Sequence, residues 1–456
     1  MARPRNHLGL TGVPRTMLNG LARRDVLKIL GLAALATSSS ALVACSDNSG
    51  PAIATDPGVV AAQVDREAGD PKLIPGVVDA LNHLTGGLYA QLSSQPGNLA
   101  FSPYSVAVAL SMTRNGAAGK TAEEMDQVLG IGDLAAHNGG INALTQAVEG
   151  LAGTFEQEGA DPAVIALDSA NALFGDGSVT WSDDFLETLA RSYGAGMRTV
   201  DYIGHTEDAR TKINGWTAER THDKIPEIIP EGVLDELTRL VLVNALYFKA
   251  PWQFPFQETL TSDRPFHRSA SDTVDVPTMV ASLEGAGYGE GEGWRAVRLP
   301  YVGGTLAMSV LLPDEGAFGD LEQKVAGGQL AVILGTAVTD AMVELSLPRW
   351  KFRTEASLKD ALTALGMPIA FSLDADFTDM TDEVADLHIG AVLHQAFVAV
   401  DERGTEAAAA TAVVMQDESA PAVRVEVVVD RPFLFVIHDV EHLTPLFVGR
   451  VADPTA

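Results

Sequence analysis

From Val77 to Leu92, apolar side chains fall at Val77, Val78, Leu81, Leu84, Leu88 and Leu92, the spacing of one face of a helix. A second helix is expected over Ser105–Met112, with Ser102-Pro103 as its start signal. The pattern then changes. Leu240–Phe248, Ala307–Leu312, Val343–Leu347, Ala391–Val400 and Val423–Val429 are short apolar runs rich in branched residues, and they predict strands. Helical spacing dominates the earlier part and strand runs the end, with no internal repeat. The expected fold class is therefore α+β rather than doubly wound.

A different apolar stretch, Ile29–Ala36, lies near the start. It is shorter than the roughly 20 residues of a membrane-spanning helix. Arg3, Arg5, Arg15, Arg23, Arg24 and Lys28 precede it and Thr37–Ala44 follows, so residues 1–44 have the three-part form of an export signal. Met17 offers a later start. Arg23-Arg24-Asp25-Val26-Leu27-Lys28 resembles a bacterial twin-arginine motif, departing from it at Ala22 and Val26. Leu42-Val43-Ala44-Cys45 resembles a lipobox, which implies a lipid on Cys45 and anchoring at the cell membrane, or secretion if the lipobox is unused. Ser46–Pro75 is rich in Gly, Pro, Asp, Ala and Ser, and residues 45–75 read as a flexible tether. Residues 76–454 then form one domain, since no further linker interrupts them.

Composition narrows the function. Of 456 residues, 46% are hydrophobic and 20% charged, which is globular. Thirty-one Lys and Arg against 60 Asp and Glu give a net charge of −29, which excludes nucleic acid as a partner. Residues 1–44 hold six basic residues and Asp25, so their removal leaves 25 basic against 59 acidic residues, a net charge of −34. Such a surface repels anionic lipid, leaving the acyl chains as the membrane contact. The single Cys excludes an internal disulfide and any zinc framework built on several Cys.

No motif for catalysis stands up. There is no Gly-x-Ser-x-Gly elbow and no phosphate loop. Gly285–Gly293 has glycine at every second position but is lined by Glu284, Glu290 and Glu292, and it reads as a solvated loop. His438-Asp439-Val440-Glu441-His442 has the order of an inverted zinc-protease motif, which requires a helix. Its flanks, Phe433–Ile437 and Leu446–Val448, are strand-like, so it is expected in a hairpin turn without metal. The expectation is a non-enzyme that uses no cofactor.

Several longer segments carry a resemblance. They are Asn98–Met112 (NLAFSPYSVAVALSM), Asn171–Phe174, Ile213–Trp216, Thr238–Phe256 (TRLVLVNALYFKAPWQFPF), Asp401–Thr411 (DERGTEAAAAT), Arg431–Phe435 and Pro445–Val451. In order and spacing they resemble the serpin family over about residues 76–454. The resemblance implies three β-sheets, eight or nine helices, and an exposed reactive loop at about 402–424. It also implies a monomeric suicide-substrate inhibitor of serine proteases: cleavage acylates the protease, and the cut loop then inserts into the largest sheet. The alternative is a non-inhibitory member that is merely cleaved or that carries a ligand.

Insertion makes demands that the loop's own residues meet. A strand entering a sheet has a side-chain period of two. Thr405, Ala407, Ala409, Thr411, Val413 and Met415 make an uncharged inward face, and Glu406, Ala408 and Ala410 point outward. A one-residue slip would bury Glu406 without a partner. Gly404 is suited to a hinge. The family pattern further implies that Glu402 is the acidic residue at the loop's base. It implies that Ser102, Ser105, Asn244 and His394 hold the central strands shut, and that Trp252 marks where insertion begins. In the family the cut usually follows the residue sixteen positions after that base Glu, which implies Glu418-Ser419 as the scissile bond and a glutamate-preferring protease. Asp417 leaves an aspartate-preferring enzyme open, and Val414 or Met415 an elastase- or subtilisin-type one. Thr221-His222-Asp223-Lys224 lacks the Asn-Gly that the family often has there.

Overall fold

Ser102 starts the second helix as its place before Pro103 predicts: its Oγ accepts the Ser105 N–H at 3.1 Å, satisfying an otherwise orphaned donor. The computed structural model describes residues 58–156, 161–337, 339–383, 386–406 and 424–456. Cys45, Ala407, Ala408, Ala409, Ala410, Thr411, Glu418 and Ser419 lie outside the described residues.

In chain order come β1 (Val59–Val60), α1 (Ile74–Leu92), β2 (Leu99–Phe101), α2 (Pro103–Arg114), α3 (Gly119–Leu129), α4 (Leu134–Glu149), β3 (Gly153–Phe155), β4 (Ala163–Asp176), α5 (Asp183–Tyr193), β5 (Met197–Val200), α6 (Thr206–Arg220) and β6 (Leu240–Pro251). There follow β7 (Ser262–Ser269), β8 (Asp272–Gly291), β9 (Trp294–Pro300), β10 (Leu306–Pro313), α7 (Phe318–Ala326), α8 (Leu330–Thr336), β11 (Thr339–Pro348), β12 (Trp350–Ser357) and α9 (Lys359–Leu365). The chain closes with β13 (Ile389–Asp401), β14 (Gly404–Thr405), β15 (Arg424–Val428), β16 (Phe433–Asp439) and β17 (Pro445–Val451). The predicted helices and strands appear within a few residues of their expected bounds, in an α+β fold.

The first sheet has the order β1-β5-β4-β6-β14-β13-β12, and β3 pairs with β4. The second runs β15-β11-β8-β9-β10-β16-β17-β2, with β7 beside β8. Two of the expected three sheets join here, because β8 pairs with β7 and β11 along most of its length and with β9 at its end. Helix α2 lies in the main core, buried at every residue from Pro103 to Thr113. The first sheet is apolar on both faces. Leu242, Leu246 and Phe248 of β6 join the main core, whereas Val241, Val243 and Ala245 pack under Ile213 of α6 and under Ile225, Ile228 and Ile229 of the following loop. That accounts for the unbroken apolar run in β6.

Two expectations change. Residues 58–75 are not tether. Val59 and Val60 pair with Arg198 and Met197 of β5, the Glu67 N–H donates to the Arg191 carbonyl at 2.9 Å, and Arg66 Nε donates to Asn142 Oδ1 at 2.8 Å. Arg66 also meets Glu149, so one cation ties the segment to α4. The composition is loop-like, but Arg66 and Glu67 find partners that lie far off in sequence. The second change is at Gly285–Gly293, where Gly287, Gly289 and Gly291 are ladder residues of β8 facing β9. A Cβ at Gly287 would sit 2.4 Å from the Ala337 carbonyl oxygen, and one at Gly289 would sit 2.5 Å from Thr336. The alternating glycines let the end of α8 rest on the strand. The segment from His438 to His442 does join two strands, β16 and β17. His438 is buried in the sheet with Nε2 2.9 Å from Ser309 Oγ, so its ring faces the core.

Candidate functional site

Strands β6 and β13 run parallel, paired from Leu240↔Ile389 to Leu246↔Ala396, although their other neighbours in the sheet, β4 and β12, are antiparallel to them. A parallel ladder is slightly less stable per residue than an antiparallel one. Beyond Leu246 and Ala396 the two strands separate, and β14 lies between them. Gly404 and Thr405 pair with Pro251 and Ala250 of β6 on one side and with Asp401 and Val400 of β13 on the other, antiparallel to both. Tyr247–Lys249 and Phe397–Ala399 thus flank a slot. Among the described residues the only main-chain bond made there is from the Glu406 N–H to the Ala399 carbonyl, at 2.8 Å.

The hinge residues each have a physical reason for their place. Gly404 has φ of +153°, and a Cβ there would lie 2.2 Å from the Ala250 carbonyl oxygen, so only glycine fits. Thr405 is buried and points inward, where its hydroxyl meets the Tyr301 hydroxyl at 2.6 Å. Burial keeps that phenol protonated, its pKa well above the ordinary value. Glu406 faces outward, and its carboxylate pairs with Lys224 Nζ. The inward and outward assignment of Thr405 and Glu406 is the one that the period of two required.

Around them the mouth is held by the loop's base. Burial pushes the Glu402 carboxyl up, but the bonds from Arg349 and Thr261 outweigh this and hold its pKa below the ordinary value. Arg349 Nε is 2.8 Å from Glu402 Oε1, and the Glu402 carbonyl accepts the Phe256 N–H at 2.9 Å. Trp252 is tied to the same turn, Nε1 donating to the Asp401 carbonyl at 3.0 Å and N–H to the Arg403 carbonyl at 2.9 Å. Its ring stacks on Tyr301 with centroids 4.6 Å apart.

At the foot of the slot His394 joins β13 to β6. Its Nε2 accepts the Ser102 N–H at 3.0 Å, so the proton is on Nδ1, which donates to Asn244 Oδ1 at 2.5 Å. Burial pushes the His394 pKa down to about 4, and the ring is neutral at pH 7. Asn244 Nδ2 is buried with no partner among the described residues. Among the described residues the Ser105 hydroxyl bonds to the Ser102 carbonyl, so it serves the helix start rather than the histidine. Ser102, Asn244 and His394 therefore come together as expected, and Ser105 stands one step back.

Sequence reasoning missed Tyr301, Arg349, Thr261 and Lys224. One signal was present. His222 and Asp223 have φ of +50° and +59°, which is the left-handed region that an Asn-Gly pair would accept readily. The departure from the usual Asn-Gly therefore marked a constrained turn next to Lys224. Among the described residues no group of three or more His, Cys, Asp or Glu is placed to hold a metal ion, and no helix is long and apolar enough to cross a membrane.

Known proteins resemble this chain over most of its length. The model of the family described as Serpin (serine protease inhibitor) matches residues 79–454. An uncharacterized serpin-like protein of Thermococcus kodakarensis is 36% identical over 382 residues, covering 83% of this chain and 86% of the relative. The leukocyte elastase inhibitor of Bos taurus is 36% identical over 370 residues, covering 78% and 93%. Among solved structures, the thermophilic serpin tengpin in its native state superposes with a TM-score of 0.74 at 26% identity, over 86% of this chain and 97% of that one. Serpin48 of Tenebrio molitor gives 0.71 at 29% identity, over 84% and 99%.

Proposed function

The chain belongs to the serpin family, whose members are mostly protease inhibitors rather than catalysts, and on that premise we propose that it is a suicide-substrate inhibitor of serine proteases. The observation that carries the reading is the seat of Gly404 and Thr405 between β6 and β13, with the small uncharged run Ala407–Thr411 following the outward-facing Glu406 in the sequence. After cleavage, the freed loop continues down the slot from Thr405. Each new residue pairs antiparallel with both neighbours and replaces the weaker parallel ladder. Roughly ten added ladder bonds at about 0.5–1.5 kcal/mol each supply on the order of 10 kcal/mol. The inward face, Thr405 to Met415 in steps of two, buries no charge.

On this reading the bond cut is Glu418-Ser419, and a glutamate-preferring protease is the leading target. The elastase in the names of several relatives points to Val414 or Met415 as a shifted site. The protein acts outside the cytoplasm, exported by residues 1–44 and anchored by a lipid on Cys45. The test is incubation with a panel of serine proteases followed by a denaturing gel. A covalent complex that survives heating in detergent supports the inhibitor. Cleavage without a complex would replace it with a non-inhibitory serpin.

A further inference from the structure

Lys224 lies in the loop after α6, which covers the outer face of the first sheet. That loop is fastened to strands on both sides of the slot. His222 Nε2 is 2.9 Å from Asp168 Oδ2 of β4, Arg353 of β12 donates to the Lys224 carbonyl, and Gln395 Nε2 of β13 donates to the Glu227 carbonyl at 2.7 Å. Lys224 Nζ itself stands 5.6 Å from the ring centroid of Phe397, beside the open part of the slot, and pairs with Glu406. The two side chains are 40% and 14% exposed, so the pair is only partly screened by water.

Glu406 is the first residue past β14. Its N–H is docked on β13, but its φ of +51° turns the chain out of the extended path that a further strand residue would need. The hinge thus stops after Thr405, with Glu406 held on the outward face by a lysine from the covering loop.

We infer that Lys224 is a positioning residue that keeps the hinge of the uncleaved chain half docked, so that insertion starts with Thr405 already seated. The effect on trapping rests on the inhibitory reading above; the docked hinge does not. Without the ion pair, Thr405 and Glu406 keep the two-residue ladder, the Glu406 N–H bond and the Tyr301 hydroxyl, while the bonds to Glu402 and Arg403 hold the base of the loop. The hinge then leaves the slot more often, and the first step of insertion falls behind deacylation of the protease.

The test uses the full chain with Lys224→Glu, with Glu406→Lys, and with both together. Amide exchange over residues 403–406, read by mass spectrometry before any protease is added, should lose about fivefold protection in each single variant, which is about 1 kcal/mol. The doubly exchanged protein should recover it, a rescue that a merely structural role would not give. Lys224→Met, which removes the ammonium group but keeps an unbranched apolar stem at a half-exposed position, should lose protection too. The inhibitor-to-protease ratio needed for full inhibition should rise severalfold in the single variants and return in the double. Unchanged exchange in the single variants, or no recovery in the double, overturns the inference. Altered exchange with no covalent complex from the unsubstituted protein would sink the inhibitory reading and leave the latch standing.

Discussion

Thr405 and Tyr301 share a buried hydrogen bond, their hydroxyl oxygens 2.6 Å apart at the mouth of the slot. Gly404 has no side chain, so Thr405 puts the first side chain between β6 and β13, and a charge there must be buried before anything else follows. Thr405→Arg should turn the inhibitor into a substrate, because an unpaired guanidinium in that position costs on the order of several kcal/mol. The ratio of cleaved protein to covalent complex on a gel should rise strongly. An unchanged ratio would mean that the hinge enters in another register.

The turn at His222 and Asp223 carries two consecutive left-handed residues without glycine. Asp223→Gly removes part of that cost and should stabilise the fold by roughly 0.5–1 kcal/mol, the usual penalty less the added freedom of the unfolded chain. The urea midpoint should move up. A lower midpoint would show that the Asp223 side chain contributes more than its backbone loses.

Three histidines, His137, His394 and His438, are buried with pKa values pushed down to about 4, chiefly by burial. The native state therefore binds fewer protons than the unfolded chain, and the stability these groups leave intact above about pH 6.5 is lost as the pH falls toward 4. Each contributes a slope approaching about 1.4 kcal/mol per pH unit within that window. Glu402, whose carboxyl is depressed, adds a loss below the ordinary carboxylate range. Thermal midpoints should be flat from pH 8 to 7 and fall from 6 to 4.5; a flat profile down to 5 would contradict neutral burial.

Glu418→Arg should abolish inhibition of a glutamate-preferring protease and create inhibition of trypsin-like enzymes, whose pocket is acidic. Mass spectrometry of the released C-terminal peptide gives the bond directly. A peptide beginning at Ser419 is expected, and one beginning at Gln416 would move the site to Met415.

Cys45→Ala should shift the protein from the membrane fraction to the soluble one. Identical fractionation of the two would rule out the lipid anchor.

Much of this was readable from the chain because it is local. The inward place of Thr405 and the outward place of Glu406 follow from side chains alternating along the chain, and the start of α2 is written in Ser102-Pro103. What was not readable depends on contacts across long sequence distances. Tyr301 is an ordinary aromatic until the fold puts it under Thr405, and Arg349 is an ordinary surface cation until Glu402 arrives from 53 residues away. The glycines of β8 misled for a related reason. They look like a loop in sequence, and only the end of α8 pressed on the strand explains them. Arg66 likewise turns a polar segment into part of the body, by reaching residues 76 and 83 positions further on.

The docking of Val59 and Val60 on β5 sets the end of the sheet at which the N-terminal segment joins the body. β5 pairs with Leu173–Asp176 of β4, and Leu173 pairs in turn with Leu242 of β6. The mouth of the slot is at Ala250, eight residues further along β6, or about 26 Å at about 3.3 Å per residue. The chain therefore joins the body at the end of the sheet remote from Gly404. Only residues 45–57 separate Cys45 from that junction, a reach of at most about 45 Å. On the proposed lipid anchor, the tether would leave the body from the end of the sheet opposite the hinge. On the inhibitory reading proposed above, a captured enzyme carried down the sheet as the strand forms would finish at that same end, where the tether leaves.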